Sequence, residues 1–278
     1  MARLFIVSTP IGNLGDMTYR GVEVLRGVAR ILAEDTRRTS ILLRHYAIET
    51  PLVSLHEHNE AARSEQVCAW LDAGEDLALV ADAGTPLVSD PGERLVGAVF
   101  DAGHEVVPVP GASAVLAALV GSGLPAQPFT FVGFLARKAA ERRRQIETLA
   151  GSAHTAVLFE SPNRLHKLLL ELTQTLEVTR PVVVVRELTK LHETWFRGTL
   201  ADALAYYDGR PVRGEVVVLV GGAMPAAPAA QEEGPALAAA LVADGLKPSA
   251  VARQLSARLG VPRAVAYELA LDAARAQQ

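Results

Sequence analysis

The sequence predicts an α/β protein made of two α/β domains and a small helical tail at its carboxyl end. Three observations predict this class. Apolar strand-like runs alternate with segments of helical period, Gly and Pro residues at 121–128 separate two such series, and an Ala/Pro-rich segment at 223–234 precedes a last helical stretch. The chain has 278 residues, 50% of them hydrophobic, which is enough to form a core in each domain.

The first series is typical of a parallel sheet. Strand-like and helix-like segments follow one another, as expected when a crossover helix joins each strand to the next. The strand-like runs lie at 4–8, 30–33, 77–81 and 106–109, and the helical segments near 18–27, 36–46, 59–73 and 92–102. We assign this series to an amino-terminal domain over residues 1–120.

The second series begins near Phe129 and predicts a domain over residues 121–222. Its strand-like runs lie at 155–159, 182–185 and 216–220. Residues 194–200 could form an extra, antiparallel strand, so we expect this sheet to be mixed. The hinge between the two series would leave an interdomain cleft, which is the usual place for a binding site.

The tail is predicted over residues 235–278, after an extended or mobile linker at 223–234. Two short helices joined at Gly260 fit a helix-turn-helix pair or an ordinary helical hairpin equally well. One interpretation of the chain is therefore a nucleic-acid-binding regulator that uses this tail. Deletion of the tail would remove the whole function of such a regulator but would leave the cofactor site of an enzyme intact.

The charge of the chain limits the ways in which it could bind nucleic acid. A net charge of −4 and a pI near 6.0 argue against a broad electrostatic binder, because phosphate contacts require clustered Lys and Arg. An RNA contact would have to use a local basic patch. The sequence offers one at Arg137, Arg142, Arg143 and Arg144.

Cysteine content and apolar runs indicate a cytoplasmic protein with no membrane partner. The single Cys68 excludes an internal disulfide framework and is typical of a reducing compartment. The apolar run at 4–7 is too short for a signal peptide, and no uncharged apolar segment reaches the roughly 18 residues of a membrane helix. The HEH triplet at 56–58 lacks a nearby third ligand, so we interpret it as a loop and predict no metal site.

Polar loops follow five of the strand-like runs, where the ligand crevice of an open α/β sheet lies. The most informative is DAGTPLVSDPG at 82–92, because small residues, Gly and Pro let backbone N–H and C=O groups face a ligand. None of the loops has the Gly-x-Gly-x-x-Gly fingerprint or a Walker lysine. The other four lie at 9–16, 33–39, 160–164 and 186–193, and we expect all five to converge on one cleft.

The loop at 33–39 allows two interpretations. Asp35 or Thr36 could cap the next helix, with Arg37 and Arg38 in solvent. Alternatively, the acidic side chains lie near a reacting group and the arginines bind an anionic substrate.

Six motifs occur in order between residues 4 and 222. They are TPIGNLGD at 9–16, AEDTR at 33–37, DAGTPLVSDPG at 82–92, PGASA at 110–114, FESPNRL at 159–165 and RELTK at 186–190. Together they resemble the tetrapyrrole methylase superfamily, S-adenosylmethionine-dependent enzymes made of two α/β domains that dimerise. Within it, the chain is most similar to the branch that methylates the ribose 2′-oxygen of a decoding-site cytidine in small-subunit (16S) ribosomal RNA. Methylases of small corrin or porphyrin precursors are the alternative, although these usually carry Gly-Asp-Pro where this chain has Ala81-Asp82-Ala83.

The resemblance implies a binding site for S-adenosyl-L-methionine, and it implies small-subunit ribosomal RNA and a second copy of the chain as partners. Backbone groups of small residues would hold the methionine end, and one carboxylate would favour the cationic sulfonium or amino group. An aromatic ring would form a wall from the second domain, where the family often has Tyr. Carried over by position, the residues are Pro10, Asp82, Gly84, Thr85, Ser113, Ala114 and Phe159.

The resemblance also implies an in-line attack of a ribose 2′-hydroxyl on the sulfonium methyl, which positioning promotes. Because this hydroxyl is a poor nucleophile at neutral pH, a base or a nearby cation should help to remove its proton. Our hypothesis assigns the base to Asp35 or Glu187. It assigns the stabilisation of alkoxide or phosphate to Lys190 and Arg37.

Overall fold

The computed structural model describes residues 2–223, 228–244, 246–259, 261 and 263–276. The chain divides into two units. The first contains the residues up to Ala118 and the segment Glu187–Thr194, and the second contains Leu119–Arg186 and the residues from Trp195 onwards. A five-stranded sheet flanked by helices lies in each unit, so the predicted α/β class is confirmed.

The first sheet is entirely parallel. Its strands are β1 (Arg3–Val7), β2 (Arg30–Ala33), β3 (Leu52–Ser54), β4 (Leu77–Val80) and β5 (Glu105–Val109), and the helices are α1 (Tyr19–Gly27), α2 (Thr36–His45), α3 (Glu60–Asp72), α4 (Glu93–Asp101) and α5 (Ala114–Ser122). The strand order is β3-β2-β4-β1-β5. Strand β3 is missing from the sequence-based prediction, because three residues are too few to show a periodic pattern.

Apolar side chains cover both faces of this sheet, as expected for parallel strands. In β4, Leu77 and Leu79 belong to the core on one face, whereas Ala78 and Val80 belong to the core on the other. All four residues of β4 are buried. The alternation fixes the register of the sheet. Because all five strands are parallel, their carboxyl ends lie at one edge.

The second sheet is mixed, as predicted. Its strands are β6 (Phe129–Phe134), β7 (Thr155–Glu160), β8 (Pro181–Arg186), β9 (Thr194–Thr199) and β10 (Val216–Val220), in the order β6-β7-β10-β8-β9. Strands β6 and β7 are parallel, whereas β10 runs antiparallel to both β7 and β8. The helices are α6 (Ala139–Ala150), α7 (Leu165–Thr175) and α8 (Leu200–Tyr207).

Three further helices lie in the described part of the tail: α9 (Pro228–Ala243), α10 (Pro248–Leu259) and α11 (Arg263–Ala276). They share a small core that includes Ala238, Leu241, Val251, Leu255 and Ala266. The expected linker at 223–234 requires a correction, since α9 has already begun at residue 228. A proline in the first turn and the alanines after it favour a helix there. Residues 224–227 and Gly260 lie outside the described residues.

Among the residues described, no helix has both the length and the apolar character needed to cross a membrane.

Candidate active site

Two loops at the carboxyl edge of the first sheet are joined by backbone hydrogen bonds. The N–H of Thr9 donates to the carbonyl of Gly84 at 2.8 Å, and the N–H of Gly84 donates back to Thr9 at 3.0 Å. The hydroxyl of Thr9 also donates to the carbonyl of Ala81 at 3.1 Å. The loop after β1 is therefore fixed against the loop after β4, with Pro10 buried beside the junction.

The loop after β5 joins the same junction through two hydroxyl groups. The hydroxyl of Thr85 donates to the carbonyl of Ala112 at 3.2 Å. Its one proton is then used, so Ser8 is the donor in the 3.1 Å hydrogen bond between the two hydroxyl oxygens. Ser113 lies beyond this contact and caps α5, because its Oγ accepts from the N–H of Leu116 at 3.4 Å.

Gly84 is required by the backbone of this junction. Its φ is +84°, which is the left-handed region that favours glycine. A Cβ here would lie 3.3 Å from Cγ2 of Ile11 and 3.9 Å from the carbonyl oxygen of Ala112. The structure therefore brings together Pro10, Gly84, Thr85 and the start of α5 at Ser113 and Ala114, which are five of the residues to which the resemblance assigns cofactor binding.

Asp82 links the loop after β4 to the loop after β2. One carboxylate oxygen, Oδ1, accepts from the N–H of Asp35 at 3.0 Å, and the other lies 3.6 Å from Nη1 of Arg38. The side chain of Asp82 is about one-fifth exposed. The neighbouring loop thus holds this carboxylate in place. A cationic ligand would approach a carboxylate that already interacts with the N–H of Asp35 and with Arg38.

Asp35 caps helix α2. Its Oδ1 accepts from the backbone N–H of Arg37 at 2.9 Å, and both carboxylate oxygens accept from the guanidinium of Arg37 at 3.0 and 2.8 Å. The hydrogen bond from the Arg37 side chain is the main reason why the pKa of Asp35 falls to about 2. A carboxylate with this pKa is a weak proton acceptor at neutral pH, so the geometry favours the capping interpretation of the loop.

A cleft of about 520 Å³ lies over this edge within the first unit. Two of its residues, Ser54 at the end of the short strand β3 and His56 just beyond it, were not predicted as site residues from the sequence. The polar HEH triplet, two residues beyond the end of β3, was the signal that could have found His56. The lining residues are Glu34, Asp35, Thr36, Arg37, Arg38, Ser54, His56 and Asp82.

Three carboxyl groups influence one another around the cleft. Burial, together with the charges of Glu34 and Asp82, raises the pKa of Asp90 to about 6. Burial also raises the pKa of Glu34, with Asp82 adding to the effect and Arg38 opposing it. These groups concentrate negative charge in surroundings that partly exclude water. In the described ranges, no group of three or more His, Cys, Asp or Glu side chains has the arrangement needed to hold a metal ion.

Glu187 and Lys190 lie in the segment that belongs to the first unit, next to the loop after β1. Nζ of Lys190 donates to Oε1 of Glu187 at 2.9 Å, and the backbone N–H of Lys190 donates to the carbonyl of Glu187 at 2.9 Å. A Cβ on Gly12 would clash with Cγ of Lys190, so the lysine stem packs directly on this glycine.

The backbone of this segment is strained. Glu187 has a φ of +54° and Thr189 a φ of +66°, although neither is glycine. Such residues cost about 1–3 kcal/mol each and cluster at functional sites. The N–H of Thr189 donates to Oε2 of Glu193 at 2.6 Å, which helps to hold the conformation.

Phe159 and Glu160, at the end of β7, have different roles within the second unit. The ring of Phe159 makes edge contacts with Phe131 and Phe134, with centroids 5.0 and 5.6 Å apart. The carboxylate of Glu160 is fully buried and accepts from Arg142 at 3.1 Å and from Arg164 at 2.6 Å. Glu160 is therefore a structural anchor for two arginines.

Arg142 requires a correction to the predicted basic patch. Its side chain is only 6% exposed, and its second partner is Oε2 of Glu171 at 2.5 Å from Nε. Both ends of the guanidinium are thus occupied by buried or half-buried carboxylates. Arg142 fixes α6 to β7 and α7 and is not part of the exposed surface.

Residues 3–204 match the family model of the Tetrapyrrole (Corrin/Porphyrin) Methylases. The chain therefore belongs to the tetrapyrrole methylase family. It is 45% identical over 280 residues to the ribosomal RNA small subunit methyltransferase I of Synechocystis sp., with 98% of each chain covered. It is 46% identical to the protein of that name from Xylella fastidiosa, over 95% of this chain and 97% of the other. For the Bacillus subtilis protein the identity is 44%, over 80% of this chain and 76% of the other.

Solved structures share the fold at low sequence identity. The methyltransferase CobJ has a TM-score of 0.63 and 20% identity, over 80% of this chain and 95% of that one. The cobalt precorrin-4 methyltransferase CbiF has a TM-score of 0.61 and 19% identity, over 79% and 94%. The uroporphyrin-III C-methyl transferase from Thermus thermophilus complexed with S-adenyl homocysteine has a TM-score of 0.55 and 17% identity, over 79% and 97%. At this level of identity the likeness concerns the fold alone.

Proposed function

We propose that this protein transfers a methyl group from S-adenosyl-L-methionine to the ribose 2′-oxygen of a cytidine in small-subunit (16S) ribosomal RNA. The observation that carries the proposal is identity of 44–46% over most of the chain to proteins named ribosomal RNA small subunit methyltransferase I. The tetrapyrrole alternative is supported only by structures at 17–20% identity, so we do not retain it. The regulator interpretation has no comparable support.

The cofactor residues that we propose are Pro10, Asp82, Gly84, Thr85, Ser113, Ala114 and Phe159. The hydrogen bonds among the loops after β1, β4 and β5 support this assignment, because they fix backbone groups before any ligand arrives. S-adenosyl-L-methionine would supply a methyl group activated by its positively charged sulfur. The carboxylates of Asp82 and Asp90 suit a cationic ligand in partly buried surroundings.

For the base we favour Glu187 over Asp35. The carboxylate of Asp35 is used by the helix cap and by Arg37, and its pKa of about 2 makes it a poor proton acceptor. Glu187 lies beside Lys190, which could stabilise the alkoxide that forms as the 2′-hydroxyl loses its proton. The side chain of Arg37 is 90% exposed, so it could reach a phosphate of the substrate.

Methyl transfer from labelled S-adenosyl-L-methionine to small ribosomal subunits that lack this modification tests the proposal. We expect label on one ribose 2′-oxygen of a cytidine. The E187Q variant should lose about 100-fold or more in kcat, since general bases contribute about 10²–10⁴, while its affinity for the cofactor stays unchanged. Label on a base, or no label on RNA although the cofactor binds, would refute the proposed reaction.

We also propose that the protein works in the cytoplasm as a homodimer, on the basis of the sequence resemblance and the single cysteine. Light scattering on the purified protein checks the oligomeric state. A mass near the 29.5 kDa of one chain at micromolar concentration would contradict it.

A further inference from the structure

The residues around the start of α6 carry a charge opposite to that of the chain as a whole. Between 137 and 144 the exposed side chains include four cations and one acid, Glu141, which gives a local excess of three positive charges in a chain of net charge −4. Within the described residues, none of the four cations forms an ion pair. They are Arg137, Lys138, Arg143 and Arg144.

This basic segment is attached to a fixed frame. The N–H of Ala136 donates to Oε1 of Gln145 at 2.8 Å, which closes the loop between β6 and α6, and Leu135 is buried in the core. The buried Arg142 holds α6 to Glu160 and Glu171. The backbone that carries the exposed cations is therefore held in place, which lowers the backbone entropy lost when a partner binds.

An aromatic ring lies at one end of the same segment. Phe134, the last residue of β6, is 53% exposed, and its ring is 5.6 Å from that of Phe159. Single-stranded RNA is bound where bases stack on aromatic rings while Arg and Lys contact the phosphates. A base stacked on Phe134 would therefore lie beside the ring of Phe159.

We infer that this surface binds the RNA substrate in a single-stranded stretch. We refer to Phe134, Arg137, Lys138, Arg143 and Arg144 as the α6 face. Phe134 stacks on a base, and the four cations contact the phosphates on either side. The inference rests on the proposed function and specifies which surface of the second unit binds the RNA.

The test compares R143A/R144A with R253A/R258A, a matched pair of exposed arginines on α10 that changes the net charge equally. Binding of a fluorescent single-stranded RNA, with the sequence of the methylated region, is measured by anisotropy at several salt concentrations. For two lost phosphate contacts, we expect the slope of log affinity against log salt to become shallower by about 1.4 in R143A/R144A. The α10 pair should leave the slope unchanged.

The F134A variant should weaken RNA binding about 5- to 100-fold at every salt concentration without changing the slope, as expected for a lost stacking contact. In methyl transfer, the R143A/R144A variant should raise KM for small subunits and retain both kcat and cofactor affinity. Equal effects of the α6 and α10 pairs, or normal RNA binding by both R143A/R144A and F134A, would overturn the inference. If the wild-type protein binds RNA through the α6 face but transfers no methyl group, the proposed function is overturned. The inference that the α6 face binds RNA would still hold.

Discussion

Replacing Asp90 by Asn should stabilise the protein at alkaline pH. Burial and the charges of Glu34 and Asp82 raise the pKa of Asp90 from 3.8 to about 6. Because one pKa unit corresponds to about 1.4 kcal/mol, this difference amounts to at most about 3 kcal/mol. The side chain keeps partial contact with water, so we expect about half of that value, 1–2 kcal/mol.

The sign follows from the two states of the chain. Below pH 3.8 Asp90 is mostly protonated in both states, so neither burial of its charge nor repulsion from Glu34 and Asp82 affects the free energy of unfolding. As the pH rises from 3.8 to 6, the unfolded chain loses the proton first, so the free energy of unfolding falls, and above pH 6 the loss is complete. The D90N variant does not titrate at this position. Its advantage should therefore be about 1–2 kcal/mol at pH 8 and below about 0.5 kcal/mol at pH 4.

Urea denaturation of the wild type and of D90N at pH 4 and pH 8 measures this difference. The control is D101N, which makes the same charge change on an exposed side chain at the end of α4 and should alter the free energy of unfolding by less than about 0.5 kcal/mol at either pH. Equal stability of D90N and wild type at pH 8 would show that neither burial nor the neighbouring charges disfavour the ionised Asp90 side chain, and the reasoning about the cleft would fail.

Three further predictions concern the loops and the buried network. The G84A variant should lose about 1–3 kcal/mol of unfolding free energy, because alanine would have to adopt the φ of +84° that Gly84 has. Calorimetry should also show weaker cofactor binding by this variant. Unchanged stability and cofactor affinity would contradict the assignment of this junction. The E160A variant leaves Arg142 buried without this partner, so urea denaturation should show a loss of about 3–5 kcal/mol in unfolding free energy. The E160Q variant should lose less. A loss under about 1 kcal/mol in E160A would mean that Glu160 does not hold these arginines in place. The D35N variant should keep kcat within about tenfold of the wild type, whereas a drop of 10²–10⁴ would restore Asp35 as the base.

The apolar runs of the sequence were sufficient to predict most strands. Strands β2 and β10 match their predicted runs at both ends, and β4 differs by one residue, because the buried residues of each strand form a continuous apolar run. Strand β3 was missed because it has only three residues, and the cleft residues Ser54 and His56 were missed with it. The start of α9 was placed too late because an Ala/Pro-rich segment is compatible with both a linker and a helix.

The α/β class, the position of the polar loops after the strands and the residue types available for chemistry all follow from the sequence alone. The role of each charged residue, in contrast, depends on the folded chain. Asp35 caps a helix, Glu160 is buried between two arginines, and Asp90 holds its proton more tightly than usual. The physical reason is that apolar periodicity is a local property of the chain. Burial and the distance between charges, which set a carboxylate's partners and its pKa, depend on residues far apart in the sequence.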